Sequence, residues 1–530
     1  MRIFNTTGPV RLADHYCLPP LSRLNRAELQ FLFDQKKYFI LHAPRQVGKT
    51  STLLALLEEL NSQDDYRCLY FNVEAAQAAR ENVASAMQTI LWELCERAQF
   101  HLNDPYPASI RQHILQEAGP GNALNAILSE WARQSSKPLI VFIDEIDTLI
   151  GDTLISVLRQ LRAGYDKRPT AFPQSVILCG VRDVRDYRIH SSATQEIISG
   201  GSAFNIKAES LRLANFIQAE VETLYAQHTA ETGQPFTDEA LNLVWSLTEG
   251  QPWLVNALGF ESCFKMAEGW LRTHPIDAAM ILQAKENLIQ QRVTHLDQLT
   301  DKLKEARVQR IISPMLEGVQ LAPNLNEDDV QYVIDLGLIQ RTPQGLTIAN
   351  PIYREVIPRE LTYITQLTFE NQFQSAWYIG ADGRLETDKL LTAFQEFFRA
   401  NSEHWLERFG YKEAGPQLLL QAFLQRIVNG KGRIEREYGF GRGRTDLLIV
   451  WPYGKSGAVQ KIVIELKVRR GRLEAVQAKG VEQTWYYLDR SQADEGHLLI
   501  FDRAKTRSWK EKIFKRPASY QGVLITVWGM

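Results

Sequence analysis

The 530-residue chain is poor in cysteine: Cys17, Cys68, Cys95, Cys179 and Cys263 are scattered, and no two stand in CxxC spacing. That pattern excludes a disulfide framework and a cysteine-rich zinc site. The ten histidines are dispersed and form no HExxH motif. No apolar run approaches the ~20 residues needed to span a bilayer. The opening stretch MRIFNTTGPV lacks the layout of a secretory signal. A reducing, cytoplasmic compartment and no membrane partner are expected. Net charge is also missing. Lys+Arg is 60 against Asp+Glu 62, a balance of −2 that gives no global attraction to phosphates. The balance is uneven, however, because basic residues outnumber acidic ones between Arg426 and Arg516. There is no internal repeat, coiled coil or low-complexity tract.

What is present is an ordinary globular composition, 45% hydrophobic and 23% charged, over a length that suits about three or four domains. Residues 1–210 alternate strand and helix patterns. The strand candidates are 38–43, 68–73, 138–143, 175–180 and 203–208. Continuous apolar strands separated by helices predict a parallel sheet covered on both faces. Residues 211–295 read as helices, with Thr237 as an N-cap before Asp238 and Glu239 and a break at Gly250-Gln251-Pro252. Residues 296–365 read as a winged helix, with its hairpin turning at Pro343-Gln344-Gly345. Its second helix carries Glu327, Asp328, Asp329 and Asp335. Phosphates would be repelled there, so a packing module is favoured over a DNA reader. Residues 366–530 form a last α/β unit. Helices are expected near 386–400, 414–428 and 475–489. Strands are expected near 433–439, 444–451, 461–468 and 496–502.

Two motifs in the first segment carry chemistry. HAPRQVGKTS, residues 42–51, follows a strand and opens a helix, and fits GxxxxGK[ST] with Ala43 in place of the first glycine. A phosphate chain needs backbone N–H groups converging at a helix N-terminus. Arg45, Gln46, Val47, Gly48, Lys49, Thr50 and Ser51 are the predicted cradle. Lys49 would reach the β/γ-phosphates and Thr50 would ligate Mg²⁺. The partner motif is PLIVFIDEID, residues 138–147. There Asp144 would hold the Mg²⁺ and Glu145 would polarise the attacking water. Asp147 is left to the surface or to a supporting position. Arg182, at the end of ILCGVRD, is placed to sense the γ-phosphate. The bland alternatives are a chance glycine loop, an acidic turn and a strand-end arginine paired with Asp183 or Asp186. The two motifs in the right order outweigh them.

These residues resemble a known family. APRQVGKTS, FIDEID, GVRD and EGQPWLVN are similar to the archaeal-type, AAA-like branch of the STAND P-loop ATPases over roughly residues 10–360. The resemblance implies an additional-strand P-loop core, a helical lid and a winged helix. It implies ATP as the nucleotide, a homo-oligomer on ATP binding, and Pro252 of Gly250-Gln251-Pro252 near the adenine. Tyr16, upstream, is a further candidate for the adenine pocket.

The last unit raises a different question. In KIVIELKV, residues 461–468, Glu465 and Lys467 share one face of a strand, and Ile462, Ile464, Leu466 and Val468 share the other. A buried carboxylate needs a cation. Asp446, on the preceding strand, can meet Glu465 if the strands pair. Two carboxylates with a lysine beside them suit metal-dependent phosphodiester hydrolysis. For ELK alone a solvated Glu–Lys pair is the better reading. Asp446, the basic residues Arg442, Arg444, Arg469, Arg470 and Arg472, and Gln483 and Tyr487 four apart on the next helix shift the balance. The set resembles the PD-(D/E)xK nuclease superfamily over about residues 410–505, a restriction-endonuclease-like fold. By that resemblance Asp446 and Glu465 bind the metal, Lys467 is catalytic, and Gln483 and Tyr487 support the site. Thr445 stands where the superfamily name has proline. Glu413, or else Gln417, would complete the metal site, and Glu413 is the candidate. Mg²⁺ or Mn²⁺ would serve.

The fold class is therefore α/β multidomain. The expected function is an ATP switch controlling a nuclease that cuts nucleic acid, taken as DNA. Defence against foreign DNA is the setting that the resemblance suggests. The alternatives are a signalling or scaffold ATPase whose last domain only binds nucleic acid or a partner, and a regulator acting through the winged helix.

Overall fold

The computed structural model describes residues 1–183, 188–190, 197–291, 301–316, 326–343, 345–357, 378–408, 419–421, 423–424, 432–440, 443–454, 458–469, 471–502, 504 and 506–530. They form two compact units. One is Met1–Arg292 with Asn326–Asn350, and the other is Val293–Leu325 with Pro351–Met530. The expected winged-helix segment, 296–365, is thus divided between them.

The first unit is built on five strands: β1 (Tyr38–His42), β2 (Arg67–Asn72), β3 (Leu139–Asp144), β4 (Ser175–Gly180) and β5 (Lys207–Arg212). All pair in parallel, in the order β2-β3-β4-β1-β5. Alternate side chains on these apolar strands face opposite sides of the sheet. Tyr38, Ile40, Leu69, Phe71, Val141 and Ile143 pack into one core. Phe39, Leu41, Cys68, Tyr70, Ile140 and Phe142 pack into the other, with Leu53, Leu56, Leu57 and Leu60 of helix α1 (Lys49–Gln63). Two covered faces are what continuous apolar strands require. The first four strands lie within a residue of expectation. The fifth does not: Ala203 and Phe204 enter the core from a short helix, Gly200–Ala203, and the more polar run 207–212 forms the edge strand.

The helical part of this unit follows expectation closely. Helices cover Gln218–Thr232 and Asp238–Thr248, and the Thr237 side chain accepts from the Ala240 amide as a cap. Gly250 then takes a φ of +69°, where a Cβ would overlap the Phe216 carbonyl oxygen. The Phe216 amide donates to the Gly250 carbonyl at 2.9 Å, so the two segments are locked together. Gly250→Ala is expected to cost about 2–3 kcal/mol, read as a lowered denaturation midpoint. After the break, helix α2 (Pro252–Phe260) begins with proline at its first position. Helix α3 (Glu327–Asp335) and an antiparallel hairpin, Ile339–Thr342 with Gly345–Ile348, complete the unit.

The second unit holds helix α4 (Thr387–Arg408) and a six-stranded mixed sheet. Its strands are β6 (Arg433–Phe440), β7 (Gly443–Tyr453), β8 (Ala458–Val468), β9 (Glu495–Phe501), β10 (Phe514–Tyr520) and β11 (Val523–Gly529), in the order β6-β7-β8-β9-β11-β10. Strands β7 and β8 are antiparallel, and β8 and β9 are parallel. Helix α5 (Leu473–Ser491) supplies Val481, Tyr487 and Leu488 to a core shared with Val463 of β8 and Leu448 of β7. The all-apolar face of β8 and the face bearing Glu465 are both buried.

Candidate functional site

The residues of the first motif gather at the carboxyl ends of β1, β3 and β4. Strand β4 lies between the two motif strands, β1 and β3. The loop after β1 reaches α1 through two left-handed residues, Gln46 at φ +59° and Gly48 at φ +99°. Arg45 and Gln46 are exposed, whereas Val47 and Lys49 are buried. Ala43, in place of glycine, causes no distortion: it is buried and its amide donates to the Gly180 carbonyl at 3.3 Å. Lys49 Nζ donates to the carbonyls of Ala43 and Pro44, both at 3.0 Å, so its charge sits inside the loop. Ser51 Oγ accepts from the Val10 amide at 3.0 Å, which ties the N-terminal segment to the start of α1. Arg23 donates to the Val47 carbonyl at 2.7 Å and braces the loop from outside, and burial pulls its guanidinium down to about 10.

Asp144 ends β3 and is wholly buried. Three groups hold its carboxylate. Thr50 Oγ1 donates to Oδ2 at 2.8 Å, the Tyr70 hydroxyl donates to the same oxygen at 3.0 Å, and the Glu145 amide donates to Oδ1 at 2.9 Å. Tyr70 was invisible to sequence reasoning, because a tyrosine inside the apolar run CLYFNV reads as core. Only the β2–β3 pairing brings it to Asp144. Glu145 turns out of the strand in a left-handed conformation, φ +57°. Burial, and next the Asp147 carboxylate, push the Glu145 carboxyl above its ordinary value. Asp147 has a definite role. Its Oδ1 accepts from the Val181 amide at 3.1 Å, and a Cβ at Gly180 would stand 2.6 Å from that oxygen. It therefore fixes Val181, which follows β4 and directly precedes Arg182.

Arg182 is buried and pairs through Nε with Asp335 Oδ2 at 3.2 Å; Asp186 lies outside the described residues. Pro252 is buried at the start of α2, and the Gln251 side chain caps that helix by accepting from the Leu254 amide at 2.6 Å. Tyr16 has no exposed surface, its ring meets Phe4 and His228, and burial raises its hydroxyl to about 12.

In the second unit Glu465 is 2% exposed and bonded by Lys467 Nζ at 2.5 Å. Strand alternation puts both on the side of Val463, the side that α5 covers. The β7–β8 register runs as far as Leu447 opposite Ile464. If the same pairing continued one step further, position 446 would stand across from 465. Side-chain placement at Asp446 and Arg444, and all of Glu413, Gln417, Arg442 and Arg470, lie outside the described residues. Gln483 Oε1 is buried with no hydrogen-bond partner among the described residues. Tyr487 is part of the apolar core. Arg469 is committed to Asp502 at 3.0 Å. Burial pushes the Asp502 carboxyl up, but the Ala504 amide and Arg507 outweigh it and hold the group low. Among the described residues no three acidic, histidine or cysteine side chains cluster as a metal site. The five cysteines are unpaired thiols, and no helix among the described residues is long and apolar enough to cross a membrane.

A parallel sheet with helices on both faces, a lysine-bearing loop opening α1 and an acidic strand end beside it define a P-loop NTPase-like α/β domain. The chain belongs to the AAA-like domain family, whose model matches residues 30–358. No curated protein matches it. Among solved structures it is similar to a Walker-type ATPase of Pyrococcus abyssi, with 14% identity over 67% of this chain and 99% of that one and a TM-score of 0.45. It is also similar to the Aeropyrum pernix ORC1 protein in complex with DNA (12% identity, 67% and 97% covered, TM-score 0.34). A third is the Thermotoga maritima RuvB Holliday junction branch migration motor (13%, 63% and 95%, TM-score 0.31). At such scores these likenesses say nothing of what this chain binds.

Proposed function

We propose that the chain is an ATP-binding and ATP-hydrolysing switch that controls a metal-dependent nuclease in its second unit. The observation that carries the nucleotide half is the Thr50–Asp144 hydrogen bond, 2.8 Å long. It joins the phosphate-loop helix to the acidic strand end, and its two oxygens suit a hard divalent cation. Mg²⁺ held there would neutralise charge between the β- and γ-phosphates. The loop amides of residues 45–51 and the Lys49 ammonium bind the phosphate chain, Glu145 orients the attacking water, and Arg182 meets the γ-phosphate. Pro252, at the head of α2, lies toward the adenine. Lys49→Ala is expected to weaken ATP binding about 10- to 100-fold, measured by calorimetric titration of the full chain. Unchanged affinity would remove the phosphate site from this loop.

The nuclease half rests on a buried carboxylate with a lysine on it, in a strand whose neighbour carries Asp446 at the next register step. Asp446 and Glu465, with Glu413, are the proposed ligands for Mg²⁺ or Mn²⁺, and Lys467 stabilises charge developing on a phosphodiester. Gln483 and Tyr487 support the site from α5. The substrate is nucleic acid, taken as DNA, in the cytoplasm, with defence against foreign DNA as the setting and a homo-oligomer as the ATP-bound form. One observation favours a second reading, a scaffold ATPase whose last domain only binds: Lys467 Nζ is already bonded to Glu465 Oε1.

A further inference from the structure

The face of β8 that carries Glu465 and Lys467 does not end with the strand. The Arg469 amide donates to the Phe501 carbonyl at 2.8 Å, which carries the β8–β9 pairing past Lys467, itself opposite Ile500. Side chains two apart on a strand share a face. Arg469 therefore follows Glu465 and Lys467, and Asp502 follows Leu498 and Ile500, core partners of Val463. Asp502 is buried, and its carboxylate holds two cations on one oxygen. Arg469 Nη1 lies 3.0 Å from Oδ2 and Arg507 Nη1 lies 2.5 Å from the same atom, while the Ala504 amide donates to Oδ1 at 3.0 Å. Exposure rises outward through the group, from 6% at the Asp502 side chain to 17% at Arg469 and 35% at Arg507. Arg469 is pinned a second time, by Nε on the Gly471 carbonyl at 3.3 Å. The other carboxylate of the loop 502–512, Glu511, is taken up by Ser508, whose amide and hydroxyl both donate to Oε2 at 2.8 Å.

We propose that Arg469 and Arg507, held together by Asp502, form a phosphate site that grips the backbone of a DNA duplex beside the proposed cutting position. The inference rests on the reading of the second unit as a domain that binds nucleic acid, and adds where it holds the backbone. One guanidinium with the Ala504 amide is enough to offset one buried carboxylate. The second arginine leaves the group with a net charge of +1, one negative charge against two positive. It also sets two like charges side by side on a single oxygen, an arrangement that an anion stabilises. Planar guanidiniums suit phosphate oxygens, and the more exposed of the two faces outward from the carboxylate. Asp502 makes no contact with the ligand. It is a positioning residue that fixes both cations beforehand, so less side-chain freedom is lost on binding. The surrounding sequence has the same sign: from Asp502 to Arg516 there are seven basic residues and two acidic ones. Arg469 stands two residues beyond Lys467, ~6.6 Å along the strand. The phosphate it meets therefore flanks the one that Lys467 would serve. Contacts of this kind position a duplex without reading its sequence.

The test uses the full chain and a short labelled DNA duplex, with Ca²⁺ in place of Mg²⁺ and with ATPγS or ADP, read by fluorescence anisotropy across a salt series. Arg507→Gln and Arg469→Gln are each expected to lower the slope of log K against log salt by about 0.9, and to weaken binding about tenfold at ~0.1 M salt. Arg507→Lys, which keeps the charge, is expected to restore the slope. A merely structural triad would move the denaturation midpoint and leave the slope alone. In the unmodified chain, amide hydrogen exchange across residues 502–512 is expected to slow when the duplex is bound. This measurement decides the matter if the Gln variants do not fold. An unchanged slope in the folded Gln variants, or unchanged exchange, assigns the triad to structure and overturns the phosphate site, while the cutting site is judged by its own variants. Failure of the unmodified chain to bind the duplex with either nucleotide overturns both.

Discussion

Glu145→Gln is expected to abolish ATP turnover while ATP stays bound. The substitution keeps the side-chain size and the left-handed turn at φ +57°, and it leaves the amide that donates to Asp144 untouched. What it removes is the carboxylate's capacity to accept a proton from water in the transition state. Loss of such a group typically lowers kcat about 10²- to 10³-fold, while the affinity for ATP, set by the loop and Lys49, stays within about threefold. The measurement is phosphate release alongside calorimetric binding. Retained turnover would assign the water to another residue. A parallel loss of binding would show that Glu145 shapes the phosphate site instead.

The same carboxyl is expected to set the acid limb of the rate. Burial, then the neighbouring Asp147 carboxylate, raises it above its ordinary 4.5. Only the ionised form accepts a proton. Activity is therefore full above the raised value and is lost as the pH falls through it, so the limb lies above 4.5. Asp147→Asn removes the second cause while keeping an oxygen for the Val181 amide. It should move the limb to lower pH.

How much of this was legible depends on where the information sits. The phosphate loop and the acidic strand end were readable because each is local: an apolar strand, a turn and a helix start within about ten residues. Gly250 was readable for the same reason. Tyr70 was not, since its role exists only across the β2–β3 pair. The burial of Asp335 is not legible in the sequence, because a helix carrying four acidic residues looks solvated, and in the fold two of them, Asp329 and Asp335, are buried. The edge strand 207–212 was misplaced because its sequence, KAESLR, is polar, and an edge strand needs less apolar surface than a central one. Strands β10 and β11 were missed likewise. They pair at the sheet edge, with Gln521 and Gly522 in left-handed turn conformations between them, and residues 514–520 leave much of their surface exposed.

For the second unit the expected result is metal-dependent cleavage of nucleic acid by the full chain, lost about 10³-fold in Asp446→Ala, Glu465→Ala or Lys467→Ala with ATP turnover intact. The physical case begins with burial. Glu465 lies in β8 with β7 on one side and β9 on the other, opposite Leu498 in the parallel register. A carboxylate there is costly without a cation, and a chain selected only for stability gains nothing over an apolar residue at that position. Lys467 supplies one cation, but it is 25% exposed at its side chain while Glu465 is 3% exposed, so the lysine reaches outward from a buried acid. A ligand of the proposed site would therefore reach the pair from the lysine side. Lys467→Ala also leaves Glu465 without its partner, so thermal denaturation must accompany the assay. Lys467→Arg, which keeps the charge but changes its shape and donor geometry, separates the two effects. Cleavage lost and stability kept in that variant assigns Lys467 to the chemistry. Cleavage kept in the folded Ala variant assigns it to structure alone. If the unmodified chain cuts nothing with Mg²⁺ or Mn²⁺, with ATP or ADP, the pair is a buried ion pair and the second unit is a binding module.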